Sequence, residues 1–165
     1  MPPVICIVGK SKSSKTRLME ELIKELKARG LKVGALKYHK HGDFEIDIEG
    51  KDTWKYAKAG ADTVAISSSV KYAVIKKING EIDIDEICDK YFMDSDIVLA
   101  DGYTQSDKPR IIVAESSEDI EIFRRGCEVL AVVRTGFGLD DVGGIVNRVL
   151  GDLNNFKMRG KGFDP

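Results

Sequence analysis

Residues 4–16 read Val4-Ile5-Cys6-Ile7-Val8-Gly9-Lys10-Ser11-Lys12-Ser13-Ser14-Lys15-Thr16. The opening apolar run is the pattern of a strand buried on both faces of a parallel sheet, here over residues 3–8. Beyond Thr16, the residues Leu18, Leu22, Ile23 and Leu26 recur at helical spacing. They predict a helix over 15–29, stopped by Gly30 with Lys27 and Arg29 in its last turn. Strand, small-residue loop and helix together are the setting of a phosphate-binding loop. Small residues let several backbone N–H groups converge on one anion, and the helix adds its positive N-terminal end. Lys15 then reaches the outer phosphates, and the Thr16 hydroxyl is placed to ligate Mg²⁺. The plainer reading, a polar turn, does not account for Gly9, Lys15 and Thr16 falling in register behind a buried-type strand. The candidate nucleotide-binding residues are therefore Gly9, Lys10, Ser11, Lys12, Ser13, Ser14, Lys15 and Thr16, with Arg17 directly after them. One departure stands inside the loop: Ser14 occupies the place where a second glycine is usual, and its Cβ falls where backbone and phosphate come close.

Working outward, residues 31–37 read as a second strand, reached through the helix, so the two form a right-handed βαβ unit. A polar loop over 38–50 follows, long for such a connection and therefore a candidate functional segment. Residues 51–59 read as a helix carrying Trp54 and Tyr56. Thr63–Ile66 and Tyr72–Ile75 read as a hairpin that gives the sheet some antiparallel character. A helix over 83–92, strands at 97–100, 111–113 and 129–133, and a helix over 139–150 complete the pattern. The expected architecture is α/β, a three-layer sandwich with a mostly parallel sheet and helices on both faces. The expected division is one nucleotide-binding domain over 1–152 and a C-terminal tail over 153–165.

The 165 residues suit one domain with a good core. A formal net charge of −1 supplies no global field toward nucleic acid or membrane. No apolar run is long enough to span a bilayer, and the N-terminus lacks a signal-peptide pattern. Cys6, Cys88 and Cys127 are far apart and sit among apolar neighbours, which reads as buried free thiols in a reducing cytoplasm.

A phosphate loop needs a partner on the metal side. Ile97-Val98-Leu99-Ala100 runs into Asp101-Gly102, and a carboxylate at the end of a buried strand can hold Mg²⁺ through water. Asp47 and Asp52 are further carboxylates in or just after the loop that leaves the second strand, and Asp47 joins Thr16 and Asp101 in the candidate metal set. His39, His41 and Asp43 are a weaker pattern for a transition metal and read as solvated loop chemistry. Arg124 and Arg125 read as a solvated pair. Phe44 and Ile48 are apolar residues in a polar loop and so are interface candidates.

Four stretches in order carry a family resemblance: Gly9–Thr16; Lys37 with the histidine-bearing loop; Asp47 through Gly50-Lys51-Asp52-Thr53-Trp54 to Ala59-Gly60-Ala61; and Asp101-Gly102-Tyr103 with Lys108-Pro109. Together they resemble the MobB family, the adaptor proteins of molybdopterin-guanine dinucleotide biosynthesis. The resemblance implies a P-loop NTPase fold, GTP and Mg²⁺ as ligands, at most slow GTPase activity, a homodimer and partnership with a MobA-type guanylyltransferase. It implies phosphate binding by Gly9 to Thr16, and Mg²⁺ binding by Thr16 and Asp101. No Asn-Lys-x-Asp guanine-reading segment is present; the corresponding place after Val132-Val133 reads Arg134-Thr135-Gly136. Lys10 stands where some dimeric ATPases carry a lysine that reaches the partner's nucleotide. Two other readings stay open: a small-molecule kinase or other catalytic NTPase, and a degenerate loop that serves as a scaffold without nucleotide.

Overall fold

A computed structural model describes the chain except Ser11, Lys12, His41, Asp43 and residues 160–165; the side chains of residues 139–140 and 155–159 also lie outside the description. In chain order the elements are β1 (Val4–Gly9), α1 (Lys15–Ala28), β2 (Val33–Lys37), α2 (Asp52–Lys58), β3 (Thr63–Ser67), β4 (Tyr72–Lys76), α3 (Ile84–Tyr91), β5 (Ile97–Asp101), β6 (Arg110–Ala114), α4 (Ser117–Arg124), β7 (Val129–Arg134) and α5 (Leu139–Arg159). The chain divides into two compact units, Met1–Tyr38 with Ile84–Pro165, and His39–Asp83.

The first unit is built on a five-stranded sheet in the order β2-β5-β1-β6-β7. Every pairing in it is parallel. Successive side chains of a strand point to opposite faces, and this explains why β1 is apolar without interruption. Ile5 and Ile7 face α1 and α5, packing with Leu18, Leu22, Leu26, Val146 and Val149. Val4, Cys6 and Val8 face the other way, toward Ile84 and Cys88 of α3 and Ile120 and Phe123 of α4. Three layers result, and these apolar strands have two faces to cover.

Two approaches are closed to any side chain. A Cβ on Gly9 would lie 2.4 Å from the Val113 carbonyl oxygen, and one on Gly34 would lie 2.4 Å from the Phe92 ring. Arg110 is fully buried. Its guanidinium donates to the Phe123 carbonyl at 2.8 Å and also to the Ser106 carbonyl, tying the β5–β6 connection to α4.

The second unit holds α2 and an antiparallel hairpin, with Thr63 opposite Lys76 and Ser67 opposite Tyr72. The expected hairpin exists, but it forms a sheet of its own instead of adding antiparallel strands to the main one. Its strands are short, and most of their residues are exposed.

Two helices differ from expectation. The segment before β7 contains α4, which the apolar periodicity did not suggest. It is started by a capping box: the Asp119 N–H donates to Ser116 Oγ at 3.2 Å, and the Ser116 N–H donates to Asp119 Oδ2 at 3.2 Å. Replacing Ser116 by Ala should cost about 1 kcal/mol, read as a lower urea midpoint with an unchanged m-value. The last helix, α5, runs to Arg159, past the expected end at residue 150. Residues 160–165 of the expected tail lie outside the described residues. Cys6 and Cys88 are buried free thiols as expected, whereas Cys127 is half-buried. Burial pushes the Cys6 thiol up to about 11, so it stays protonated and unreactive at neutral pH.

Candidate functional site

β1 ends at Gly9 and α1 begins at Lys15, with Ser14 as its N-cap. Ser14 makes no side-chain capping bond, and no acidic residue lies in the first turn. The positive end of α1 is therefore left without a carboxylate counterpart of its own, which suits an external anion. Ser14 stands at φ −71°, an ordinary value for an L-residue, so glycine is not required there by conformation. Lys15 folds back over the loop: its ammonium donates to the Gly9 carbonyl at 3.0 Å, to Ser13 Oγ at 3.1 Å, and to the Lys10 carbonyl. Burial holds the Lys15 ammonium below the usual lysine range, with Asp101 opposing the shift and Lys37 adding to it. Thr16 and Arg17 follow on exposed positions of the first turn. Ser11 and Lys12 lie outside the described residues.

Asp101 is placed by register. It stands opposite Ile7 of β1 on one side and Lys37 of β2 on the other. Its carboxylate is buried and pairs with the Lys37 ammonium at 2.8 Å. The chain then turns at Gly102, which has φ +88° and would bring a Cβ within 3.2 Å of the Tyr38 carbonyl; glycine fits both demands. The Gly102 N–H donates to the Ile7 carbonyl at 3.1 Å, and the Tyr38 N–H to the Asp101 carbonyl at 2.9 Å. The carboxyl ends of β1, β2 and β5 are thus locked together. In the sheet order β1 is also where the chain departs to one side through α1 while β6 lies on the other, the switch point at which open α/β sheets take ligands.

Asp101 suits a divalent cation on the donor set it offers. It is an anionic oxygen donor, held in place, and already paired with a cation in the form of the Lys37 ammonium. Lys37 is a site residue to which the strand pattern gave no role, and no local signal could have shown its pairing with a residue 64 positions away.

A second loop lysine is also engaged. Lys10 pairs with Asp119 at 2.7 Å, and the aspartate side chain is almost fully buried. Lys10 holds the Asp119 carboxyl below the usual range, helped by the Glu115 and Ser116 N–H groups. Asp119 was not a sequence candidate; the signal that could have found it is the Ser116-Ser117-Glu118-Asp119 capping pattern.

The remaining candidates are placed separately. Asp47 belongs to the second unit, where its Oδ1 accepts the Ile48 N–H at 2.8 Å and the Thr53 hydroxyl at 3.0 Å. Its Oδ2 is buried with no partner among the described residues. Asp52 opens α2. His39 packs its ring edge-on to Phe44; His41 and Asp43 lie outside the described residues, among which no metal-binding cluster of His, Cys, Asp and Glu occurs. Trp54 is half-buried with the Lys58 ammonium 5.2 Å above its ring. Phe44 and Ile48 are 61% and 66% exposed. Arg124 ends α4, and the Arg125 guanidinium donates to the Gln105 side chain. Among the described residues, no helix is long and apolar enough to cross a membrane.

Known proteins resemble this chain along most of its length. A molybdopterin-guanine dinucleotide biosynthesis adapter protein of Haemophilus influenzae is 30% identical over 153 residues, covering 92% of this chain and 82% of the relative. A probable adapter protein of the same description from Bacillus subtilis is 28% identical over 133 residues, covering 79% and 75%. Among solved structures, a crystal structure of molybdopterin-guanine biosynthesis protein B superposes with a TM-score of 0.75 at 34% identity, covering 92% of this chain and 99% of the other. The Bacillus subtilis MobB structure shares the fold, with a TM-score of 0.68 at 22% identity over 90% and 96% of the two chains. The profile of the MobB family, described as molybdopterin guanine dinucleotide synthesis protein B, matches residues 4–135, and with the phosphate-loop architecture just described it establishes that this chain belongs to the MobB family.

Proposed function

We propose that this protein is a cytoplasmic, GTP-binding adaptor in the biosynthesis of molybdopterin guanine dinucleotide, acting as a homodimer beside a MobA-type guanylyltransferase. The observation that carries the reading is the gathering of Lys15, Asp101 and Lys37 at the carboxyl ends of β1, β2 and β5, in a chain of the MobB family. The loop amides from Gly9 to Thr16 take the phosphates, Lys15 neutralises them, and Arg17 flanks them. Thr16 and Asp101 hold Mg²⁺. When bound, the ion neutralises charge on the outer phosphate oxygens. Lys37 balances Asp101 until then. With no general base or arginine finger evident in the sequence, turnover of GTP is slow at most.

The test is equilibrium titration with GTP, GDP and ATP, each in Mg²⁺ and in chelator, on the wild type and Asp101→Asn. GTP should bind more tightly with Mg²⁺. Asp101→Asn should remove most of that gain, about 10-fold in affinity, and leave the Mg²⁺-free value nearly unchanged. Equal affinities in Mg²⁺ and chelator for both proteins would remove Asp101 from the metal site. Failure of every nucleotide to bind would defeat the reading itself and leave the scaffold alternative.

A further inference from the structure

β7 and the first turns of α5 border an open cleft of about 700 Å³, lined among others by Arg134, Phe137, Asp141, Gly144 and Arg148. Its size is that of a small-molecule site. One contact connects it to the phosphate loop, and another gives it chemical character. The Phe137 ring, itself buried, carries the Arg17 guanidinium 4.9 Å from its centroid. Arg17 is the residue directly after Thr16, so Phe137 touches both the cavity and the first turn of the phosphate-loop helix. Asp141 supplies the second contact. Its Oδ2 accepts the Gly138 N–H at 2.9 Å, which fixes the carboxylate at the turn between β7 and α5. A carboxylate has about four lone-pair positions, so one such bond leaves most of its accepting capacity unused.

We propose that this cavity seats the base of the bound nucleotide and that Asp141 makes guanine the preferred base. The proposal rests on the nucleotide-binding reading and adds a base site that the sequence motifs lack. Guanine presents two adjacent donors, N1–H and the 2-amino group, to which the two oxygens of one carboxylate are complementary. Adenine presents an acceptor at N1, which a carboxylate repels. A site built to bond such donors rejects analogues that lack them far more strongly than a difference in size can. The base therefore lies beside Phe137 with its donor edge toward Asp141. Selectivity comes from a carboxylate at the start of α5, not from an Asn-Lys-x-Asp segment.

Two variants test this on the full chain. In Asp141→Asn, the side-chain amide now donates where the carboxylate accepted. Xanthine carries an oxygen in place of the guanine 2-amino group and so becomes the better match. Gly144 lines the cleft, and a Cβ added to it meets no atom within 4 Å, so Gly144→Leu puts side-chain volume there with room for its first carbon. Affinities are measured in Mg²⁺ for GTP, ATP, xanthosine triphosphate and inorganic tripolyphosphate, with thermal denaturation of each protein. The wild type should prefer GTP over ATP by about 10-fold or more, and Asp141→Asn should lose that preference and favour xanthosine triphosphate. Gly144→Leu should weaken every nucleotide by about 10-fold or more while tripolyphosphate binds as before. A GTP-to-ATP ratio unchanged by Asp141→Asn, or unchanged nucleotide affinity in Gly144→Leu, overturns the proposal. If Asp141→Asn does not fold, Gly144→Leu decides alone. Tripolyphosphate bound without discrimination among bases by the wild type defeats the base site and spares the phosphate site; no binding of tripolyphosphate or nucleotide defeats both.

Discussion

Lys15→Ala should lower GTP affinity by about 10- to 100-fold, the worth of a charge-assisted contact to phosphate at roughly 1.5–3 kcal/mol. The structure indicates why the effect falls on binding more than on folding. Without nucleotide the ammonium is satisfied inside the loop itself, by the Gly9 and Lys10 carbonyls and Ser13 Oγ. These acceptors border an open loop, so water can replace the lysine there, and the loss of folding stability should stay near 1 kcal/mol. A phosphate group would draw the same ammonium outward, and no other described loop lysine can substitute, because Lys10 is committed to Asp119. Lys15→Arg should not restore binding: a planar five-donor fork cannot occupy the space of a compact ammonium. Calorimetric titration with GTP, paired with urea denaturation of the same samples, reads both quantities. Wild-type affinity in Lys15→Ala would show that the loop amides alone hold the anion, or that the anion binds elsewhere.

Gly9→Ala should be the most destabilising single methyl group in the loop, at about 3 kcal/mol. Gly9 pairs with Val113 in the β1–β6 ladder, and the added Cβ would sit 2.4 Å from the Val113 carbonyl oxygen and 3.3 Å from its carbonyl carbon. The obstacle is backbone in a central strand pair, not the free end of a side chain. Relief therefore requires moving β1 or β6, both buried along nearly their whole length. For a chain of this size a loss of 3 kcal/mol corresponds to about 6–12 °C in Tm. If the proposed nucleotide site is right, binding should fail as well, since Gly9 opens the loop assigned to the phosphates. Gly144→Ala is the matched control. Its Cβ meets nothing within 4 Å, and alanine in a helix interior gains about 0.5–1 kcal/mol over glycine. Equal melting temperatures for Gly9→Ala and the wild type would show that the β1–β6 pair yields more easily than its geometry implies.

These two glycines are indistinguishable as letters, and this marks the boundary of what the sequence conveys. Local patterns carried much. The apolar run Val4–Val8, the small-residue loop and the helical spacing of Leu18, Leu22 and Leu26 are each complete within a few residues, and β1 and α1 fall where they place them. The same holds for β5 running into Asp101. The α4 helix was legible in principle, since its capping box spans four residues; its weak apolar stripe concealed it. Strands β3 and β4 were legible as a hairpin, yet which sheet they joined was not, because that depends on which edges are left unpaired elsewhere.

The sequence by itself determined the class of fold and the strand–loop–helix order at Gly9–Thr16, because backbone conformation and burial pattern are set by neighbouring residues. Tertiary structure alone decided the partners of the charged groups. Lys37 meets Asp101 through strand register, and Lys10 meets Asp119 through the packing of α4 beside β1. It also decided that Ser14 sits in a conformation open to any L-residue, and that Phe137 and Asp141 line one cleft while the Phe137 ring carries the Arg17 guanidinium. Each of these is a meeting of distant residues, fixed when the sheet order buries its two apolar faces, and no pattern local to either residue encodes it.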